Sequence, residues 1–302
     1  MVEININNEK IDFTLENEKT LGEVVSGVKD WLYNSGYYIT KIEQDDNEIL
    51  LSEKDNWNKI GLNKISNLNF EIKTQSEILL SKLTTINEYI KILLKSLEKN
   101  NINLFNELMI EYPYIKEGLL NLITKKDFGI DFINIETISV MLKEIEKSNN
   151  ENKAKLESIL TKLSIILSGR IKEISHPIIE LSSTVKLLRH SIKEITDISV
   201  LLQTGKDRQA MEFILHFTEL SQKMIRIYPY LKEAGILDIA NITISKRSFS
   251  DFYAELNGVL LELVEAFNHN DTVLIGDLLE YEVAPKLDEL IILFDSLKGQ
   301  RG

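Results

Sequence analysis

The histidines of this chain are His176, His190, His216 and His269, and imidazole is the side chain that ionises near neutrality and most readily binds metals. No His-x-x-x-His or Glu-x-x-His ligand pair is read around them, so neither a zinc site nor a carboxylate-bridged di-metal site on a helix is expected. The chain has no cysteine, which removes disulfides, thiolate metal ligands and a thiol nucleophile from the repertoire. Thr204-Gly205-Lys206-Asp207 has the composition of a phosphate loop but lacks its preceding strand and first glycine. It reads better as a helix end followed by an Asp207 N-cap. Neither Gly-x-Gly-x-x-Gly nor Gly-x-Ser-x-Gly occurs, so no cofactor, metal or catalytic residue is assigned.

Two groups of residues remain. The densest acidic group is Asp277, Glu280, Tyr281 and Glu282, with Asp288 and Glu289 beyond it. Asp277 and Glu280 can share a helix face, and paired carboxylates do acid–base work when burial raises one pKa. A solvated face that attracts a basic partner is the other reading, and the better one. The second group is a repetition. Tyr112-Pro113-Tyr114-Ile115-Lys116-Glu117-Gly118 recurs as Tyr228-Pro229-Tyr230-Leu231-Lys232-Glu233-Ala234-Gly235, with a weaker copy in Ala284-Pro285-Lys286-Leu287-Asp288-Glu289. Proline inside a helix deletes a backbone hydrogen bond and crowds the preceding turn, at a cost of ~3 kcal/mol or more. The first turn of a helix tolerates it. Each copy therefore reads as a kink or restart within one of three diverged helical hairpins. Tyr112, Tyr114, Tyr228 and Tyr230 either pack half-buried with a wet hydroxyl or flank the kink and offer their rings to a partner.

The elements that must carry these residues follow from hydrophobic period. Val2, Ile4 and Ile6 alternate with polar residues, as do Ile11, Phe13 and Leu15 beyond the turn at Asn7-Asn8-Glu9-Lys10, which predicts a β-hairpin. Thr20-Leu21-Gly22-Glu23 is a capping box, followed by Leu21, Val24, Val25, Val28, Trp31 and Leu32 at helical spacing. Strands are predicted over Tyr38–Ile42, Ile49–Leu51 and Leu68–Ile72, with a turn at Asp45-Asp46-Asn47. From Leu79 onward the period is helical, with stripes over about 79–97, 103–123, 133–147, 152–175, 178–203, 207–233, 251–267 and 272–297. Short polar breaks between them imply antiparallel neighbours. The longer stretch 237–250 is expected to be irregular. The fold class is thus α+β, with a domain over 1–75 and an α-helical hairpin domain over 76–302.

A hairpin, a helix and further strands ending in a central one resemble the ubiquitin-like β-grasp, over about residues 1–74. That resemblance implies a docking or structural module. The conjugated members need a free Gly-Gly end directly after the last strand, whereas here Ile72-Lys73-Thr74 runs on into a helix and Gly302 ends another domain, so no modifier chemistry is expected. The helical remainder is similar in composition alone to the helical-hairpin export chaperones of bacterial flagella.

Charge narrows the partners. Of 47 acids and 35 bases, 14 acids and 8 lysines fall in residues 1–75, and 11 acids and 3 bases in 250–302, so both ends are acidic. Acidic ends repel phosphate backbones, and nucleic acid is not an expected partner. The acidic last helices also disfavour anionic lipid. No apolar run reaches the ~18–20 residues that span a bilayer, and Met1–Asn5 has no basic or apolar leader character, so a cytoplasmic location is expected. The function expected is that of a non-enzymatic interaction protein, an adaptor, scaffold or export-chaperone-like protein. It would capture a basic or amphipathic helical segment in grooves between hairpins, using Tyr112, Tyr114, Tyr228, Tyr230, Asp277, Glu280, Tyr281 and Glu282. The alternatives are an enzyme with a site at the domain junction or in the helical array, and a structural homo-oligomer, such as a dimer with its seam along 152–203.

Overall fold

The structure, a computed structural model, describes residues 2–12, 15, 17–33, 35–52, 54–123, 134–146, 152–233, 242–269 and 271–299. They belong to two compact units, Met1–Thr85 and Ile86–Gly302.

The first unit is a five-stranded mixed sheet with one main helix. Its strands are β1 (Glu3–Ile6), β2 (Glu9–Lys10), β3 (Tyr37–Gln44), β4 (Asn47–Ile49) and β5 (Asn67–Thr74), in the order β2-β1-β5-β3-β4. Central β5 runs parallel to β1, and the other pairs are antiparallel. Helix α1 (Leu21–Leu32) starts with both halves of the expected capping box: Thr20 Oγ1 accepts from the Glu23 amide at 3.3 Å, and the Glu23 carboxylate accepts from the Thr20 amide at 3.0 Å. Those backbone N–H bonds, from Lys19 first and then Thr20, hold the Glu23 carboxyl below its ordinary value. Leu21, Val24, Val25, Val28 and Leu32 of α1 share a core with Ile4, Ile42, Leu68, Phe70 and Ile72 of the sheet. Leu68, Phe70 and Ile72 alternate along β5 as a half-buried strand requires.

Asparagine and aspartate side chains fix the register. Asn7 and Asn8 have φ of +50° and +67°, and Asp45 and Asp46 of +46° and +65°, the left-handed pair that a tight hairpin turn demands. The Asn7 amide then acts as one more strand residue: its Oδ1 accepts from the Ile72 N–H at 2.9 Å, and its Nδ2 donates to the Ile72 carbonyl at 3.3 Å. Asp45 Oδ1 accepts from the amides of Ser66 and Asn67 and so sets the start of β5. The hairpin departs from expectation in length. β2 ends at Lys10, Ile11 and Leu15 pack on the core without extending the strand, and Phe13 lies outside the described residues. A four-residue helix, α2 (Lys54–Trp57), lies between the last two strands.

The second unit is helical. Helix α3 (Gln75–Glu98) carries the chain across the division at Thr85, and α4 (Ile102–Ile123), α5 (Ile135–Glu146), α6 (Lys153–Ser175), α7 (Pro177–Gln203), α8 (Asp207–Glu233) and α9 (Phe249–Asn268) follow. The last stripe is one continuous run of α10 (Thr272–Asp277), a π-helical turn at Leu278–Val283, and α11 (Ala284–Gly299). The chain is thus α+β, a small sheet unit followed by helices. Asn100 at φ +51° and Gly205 at φ +71° end α3 and α7, so Thr204-Gly205-Lys206 is a helix terminus. The stretch expected to be irregular holds a small hairpin, β6 (Thr243–Ile244) with β7 (Arg247–Ser248), while 237–241 lie outside the described residues.

Candidate functional site

Both Tyr-Pro-Tyr segments lie inside helices. Pro113 stands ten residues before the end of α4, and Pro229 four before the end of α8, so neither restarts a helix. Pro177 and Pro285 occupy the first turns of α7 and α11, where a missing N–H costs little. An internal proline leaves the carbonyl four residues back without its partner and splays the carbonyls on its side outward. In both copies a buried tyrosine from a neighbouring helix meets that opened turn at the same position, five residues before the proline. Tyr89 of α3 donates its hydroxyl to the Leu108 carbonyl at 2.7 Å, and Tyr253 of α9 donates to the Met224 carbonyl at 3.2 Å. Burial pushes both hydroxyls well above the ordinary phenol value of 10.0.

The first tyrosine of each motif faces the helix that follows. Tyr112 is 8% exposed and donates to Ser139 Oγ of α5 at 2.8 Å, which in turn donates to the Ile135 carbonyl at 2.9 Å. Tyr228 stacks on Tyr253 of α9 with ring centroids 4.7 Å apart and touches Phe249 at 5.3 Å. Ser139 and Tyr253 hold matching positions, each the fifth residue after a capping side chain, Asn134 in one copy and Ser248 in the other. Buried Ile135, Ile138 and Leu142 match Phe249, Phe252 and Leu256 in the same way. The likeness extends to the next helix: buried Leu156, Leu160, Leu163 and Leu167 of α6 correspond to Ile275, Leu279, Val283 and Leu287. The second set is one residue longer between Leu279 and Val283, and the π turn absorbs that residue. The repeated unit is therefore α4–α5–α6 and α8–α9–α10/α11. The segment at Pro285 lies in the third helix of a copy and is not itself a repeat of the Tyr-Pro-Tyr site.

The second tyrosines are two residues on, about 200° around the helix, and so on the opposite face. In copy one that face is open: Ile110 is 75% and Tyr114 79% exposed, with Glu107, Glu111 and Glu117 also exposed beside them. In copy two it is covered. Tyr230 is half-buried beside Arg170 and Glu173 of α6 and Arg226 of α8. Glu173 accepts from Arg170 Nη1 at 2.9 Å and from Arg226 Nε and Nη2 at 3.3 Å, and its side chain is 5% exposed. Lys223, one turn before Arg226, pairs with Glu180 of α7 at 2.6 Å. Burial and then the neighbouring Arg226 charge lower the Arg170 pKa, with Glu173 opposing both; burial and Glu173 raise that of Tyr230. Glu173 and His176 do stand at Glu-x-x-His spacing, yet this carboxylate is occupied by two guanidiniums.

Asp277, Glu280, Tyr281 and Glu282 are all exposed, Tyr281 at 67%, on and beside the π turn. Lys286 lies 3.5 Å from Glu282 and 3.7 Å from Glu255, so the acids are partly balanced. No hydrogen bond, ion pair or ring contact among the described residues joins this group to either tyrosine pair. His176, His190, His216 and His269 are exposed, and among the described residues no three His, Asp or Glu side chains are grouped to hold a metal ion. No helix among them is long and apolar enough to cross a membrane. The sequence reading missed Ile110 and the Arg170–Glu173–Arg226 cluster. The i, i+3 step from Arg170 to Glu173 was its visible half; Arg226 joins across 53 positions and left no local mark.

Known proteins match parts of this chain. Residues 2–74 match the family described as the TP0873 N-terminal domain, and residues 180–292, from α7 into α11, match a domain of unknown function, DUF8042. Over 111 residues, 37% of this chain, it is 26% identical to an uncharacterized protein of Treponema pallidum (strain Nichols). That match spans 53% of the relative, about half its length. No solved structure matches.

Two outcomes follow from this geometry. The Tyr89 and Tyr253 pKa values are raised on folding, so the stability they confer is complete below the unfolded value of 10.0 and is lost as pH rises above it. In urea titrations the wild type loses stability between about pH 9 and about pH 11 more steeply than a Tyr89→Phe/Tyr253→Phe double variant; equal slopes would mean that the hydroxyls are not buried. At the charge cluster, Glu173→Gln strands two guanidiniums and costs about 3–5 kcal/mol. Arg226→Met leaves one ion pair and costs no more than about 1–2 kcal/mol by the same titration.

Proposed function

We propose that this chain is a non-enzymatic interaction protein whose helical unit captures an amphipathic segment of a protein partner. The observation that carries the reading is the set of large apolar side chains left on outward helix faces: Ile110 and Tyr114 on α4, Ile165 on α6, Leu215 on α8 and Leu261 on α9, each more than half exposed. Scattered single apolar residues are ordinary on a surface, but a helix face that places isoleucine and tyrosine one turn apart beside carboxylates fits helix-in-groove recognition. The tyrosines with raised pKa, Tyr89, Tyr112, Tyr230 and Tyr253, all owe the shift first to burial in helix packing. The acidic ends of the chain favour a basic partner and speed its encounter.

The same reading takes the first unit as a ubiquitin-like grasp embedded for docking. Its mixed sheet, central β5 parallel to β1 and single crossing helix support that assignment, and β5 passes directly into α3 without a free carboxyl end. Trp31, Tyr33, Tyr37 and Tyr38, between 42% and 85% exposed, are the residues it would offer.

Photo-crosslinking in the native host tests the proposal. A crosslinking residue is placed in the full chain at Ile110, Ile165 or Leu215, and at exposed Lys162 as a control. One protein should be recovered reproducibly from an apolar position and not from Lys162. Recovery of general folding chaperones alone, or the same products from every position, would refute the reading.

A further inference from the structure

Because the helical unit is built twice, one copy shows what the other copy's open face is shaped to receive. In register with the prolines, Arg226 of α8 corresponds to Ile110 of α4, Lys223 to Glu107 and Tyr230 to Tyr114. In the second copy this face is covered by α6, the helix that ends the preceding copy, through Glu173 on Arg226, with α7's Glu180 on Lys223. In the first copy no earlier repeat exists among the described helices, and Ile110 and Tyr114 stand 75% and 79% exposed. We infer that the Ile110–Tyr114 face of α4 is a docking site for a basic amphipathic helix of a partner protein, lying on α4 as α6 lies on α8. This inference rests on the interaction reading above and names its surface.

The partner's chemistry follows from the two changed positions and the shared tyrosine. Where α6 meets Arg226 with the carboxylate of Glu173, the occupant meets Ile110 and needs an apolar side chain. Where α7 meets Lys223 with Glu180, the occupant meets Glu107 and needs lysine or arginine. Glu111 and Glu117, also exposed on this helix, extend the demand for positive charge, since the only lysine of α4, Lys116, is paired with Glu136 of α5 at 2.7 Å. A guanidinium or ammonium group over the exposed Tyr114 ring adds a cation–π contact. The register is forced rather than adjustable. Burying Tyr112 against Ser139 sends positions 110 and 114 to the far side of the same helix.

Charge also decides against a second copy of this chain as the occupant. The helix that would stack there, in the place α6 takes on α8, is the last one, α10/α11. It carries Asp277, Glu280, Glu282, Asp288, Glu289 and Asp295 against Lys286 and Lys298, a net negative charge of the same sign as that of exposed Glu107, Glu111 and Glu117. Like charges across an interface oppose pairing.

Binding of two fluorescent peptides to the full-length protein tests the assignment. One is a leucine/lysine amphipathic helix of about 18 residues, long enough to run along α4; the other has glutamate in place of every lysine. Fluorescence anisotropy should show the lysine peptide binding, the glutamate peptide not, and affinity at least about tenfold weaker for Ile110→Ser/Tyr114→Ser and for Glu107→Lys. Val273→Ser, at an exposed apolar position of α10, should bind as the wild type does, and circular dichroism should find all variants equally helical, since the replaced side chains are exposed. Equal binding by wild type and the Ile110/Tyr114 variant, or no binding of the lysine peptide, overturns the inference. Loss of binding in Val273→Ser instead would place the peptide elsewhere on the apolar surface, which overturns it while leaving the interaction reading standing. Self-association in sedimentation velocity that the Ile110/Tyr114 variant abolishes would make a second copy the occupant and overturns it as well.

Discussion

A proline in the middle of a helix is the constraint on which the helical unit turns. It removes one N–H, bends the helix and opens carbonyls that cannot be left dry in a packed interior. In both copies a tyrosine hydroxyl from a neighbouring helix binds the carbonyl next to the orphaned one, five residues upstream of the proline, Tyr89 to Leu108 and Tyr253 to Met224. Each bond ties two helices in one register. With the register set, the first motif tyrosine is turned into the packing against the next helix, and the residues two positions to either side are turned away from it. The outward chemistry of α4 and α8 is thus a consequence of which side of each helix is packed.

The two copies then diverge at the surface while keeping that interior. Copy two spends its outward face on holding the repeats together, with two arginines on one buried glutamate and a lysine pairing with α7. A carboxylate shared by two guanidiniums is costly to break, and it commits α6 to a single placement. Copy one has an isoleucine and a glutamate at the matching positions, Ile110 and Glu107. The π turn belongs to the same history: one extra residue in the third helix of copy two is accommodated by local widening, and the leucine stripe resumes in phase at Val283 and Leu287.

Much of this was legible in the residues because its causes are local. The Thr20–Glu23 capping box, the turns at Asn7-Asn8 and Asp45-Asp46, and the ends of α3 and α7 at Asn100 and Gly205 each follow from a few neighbouring side chains with strong conformational preference. The fate of the prolines was not legible. Pro113 and Pro229 lie inside their helices, and a proline flanked by helix-forming residues carries no local mark that tells continuation from restart. The β6–β7 hairpin escaped because its turn residues, Ser245 and Lys246 at φ of +49° and +69°, carry none of the usual glycine or asparagine signal. The alternation through Ile11 and Leu15 overstated β2, since apolar residues that line a core need not continue its ladder. Of the named site residues, Tyr112 is buried, Tyr228 is stacked in an aromatic cluster, and Tyr114 is open to solvent, a division that one helical register imposes and that identical Tyr-Pro-Tyr letters conceal.

The most direct measurement of this register is the solvent accessibility of individual tyrosine rings, read by NMR on ring-labelled protein with a soluble paramagnetic agent. Tyr89, Tyr112 and Tyr253 should keep their signals while Tyr114 and Tyr281 are bleached. Bleaching of Tyr112 together with Tyr114 would mean that α4 is not pinned as described, and the account of both its buried and its open face would fall.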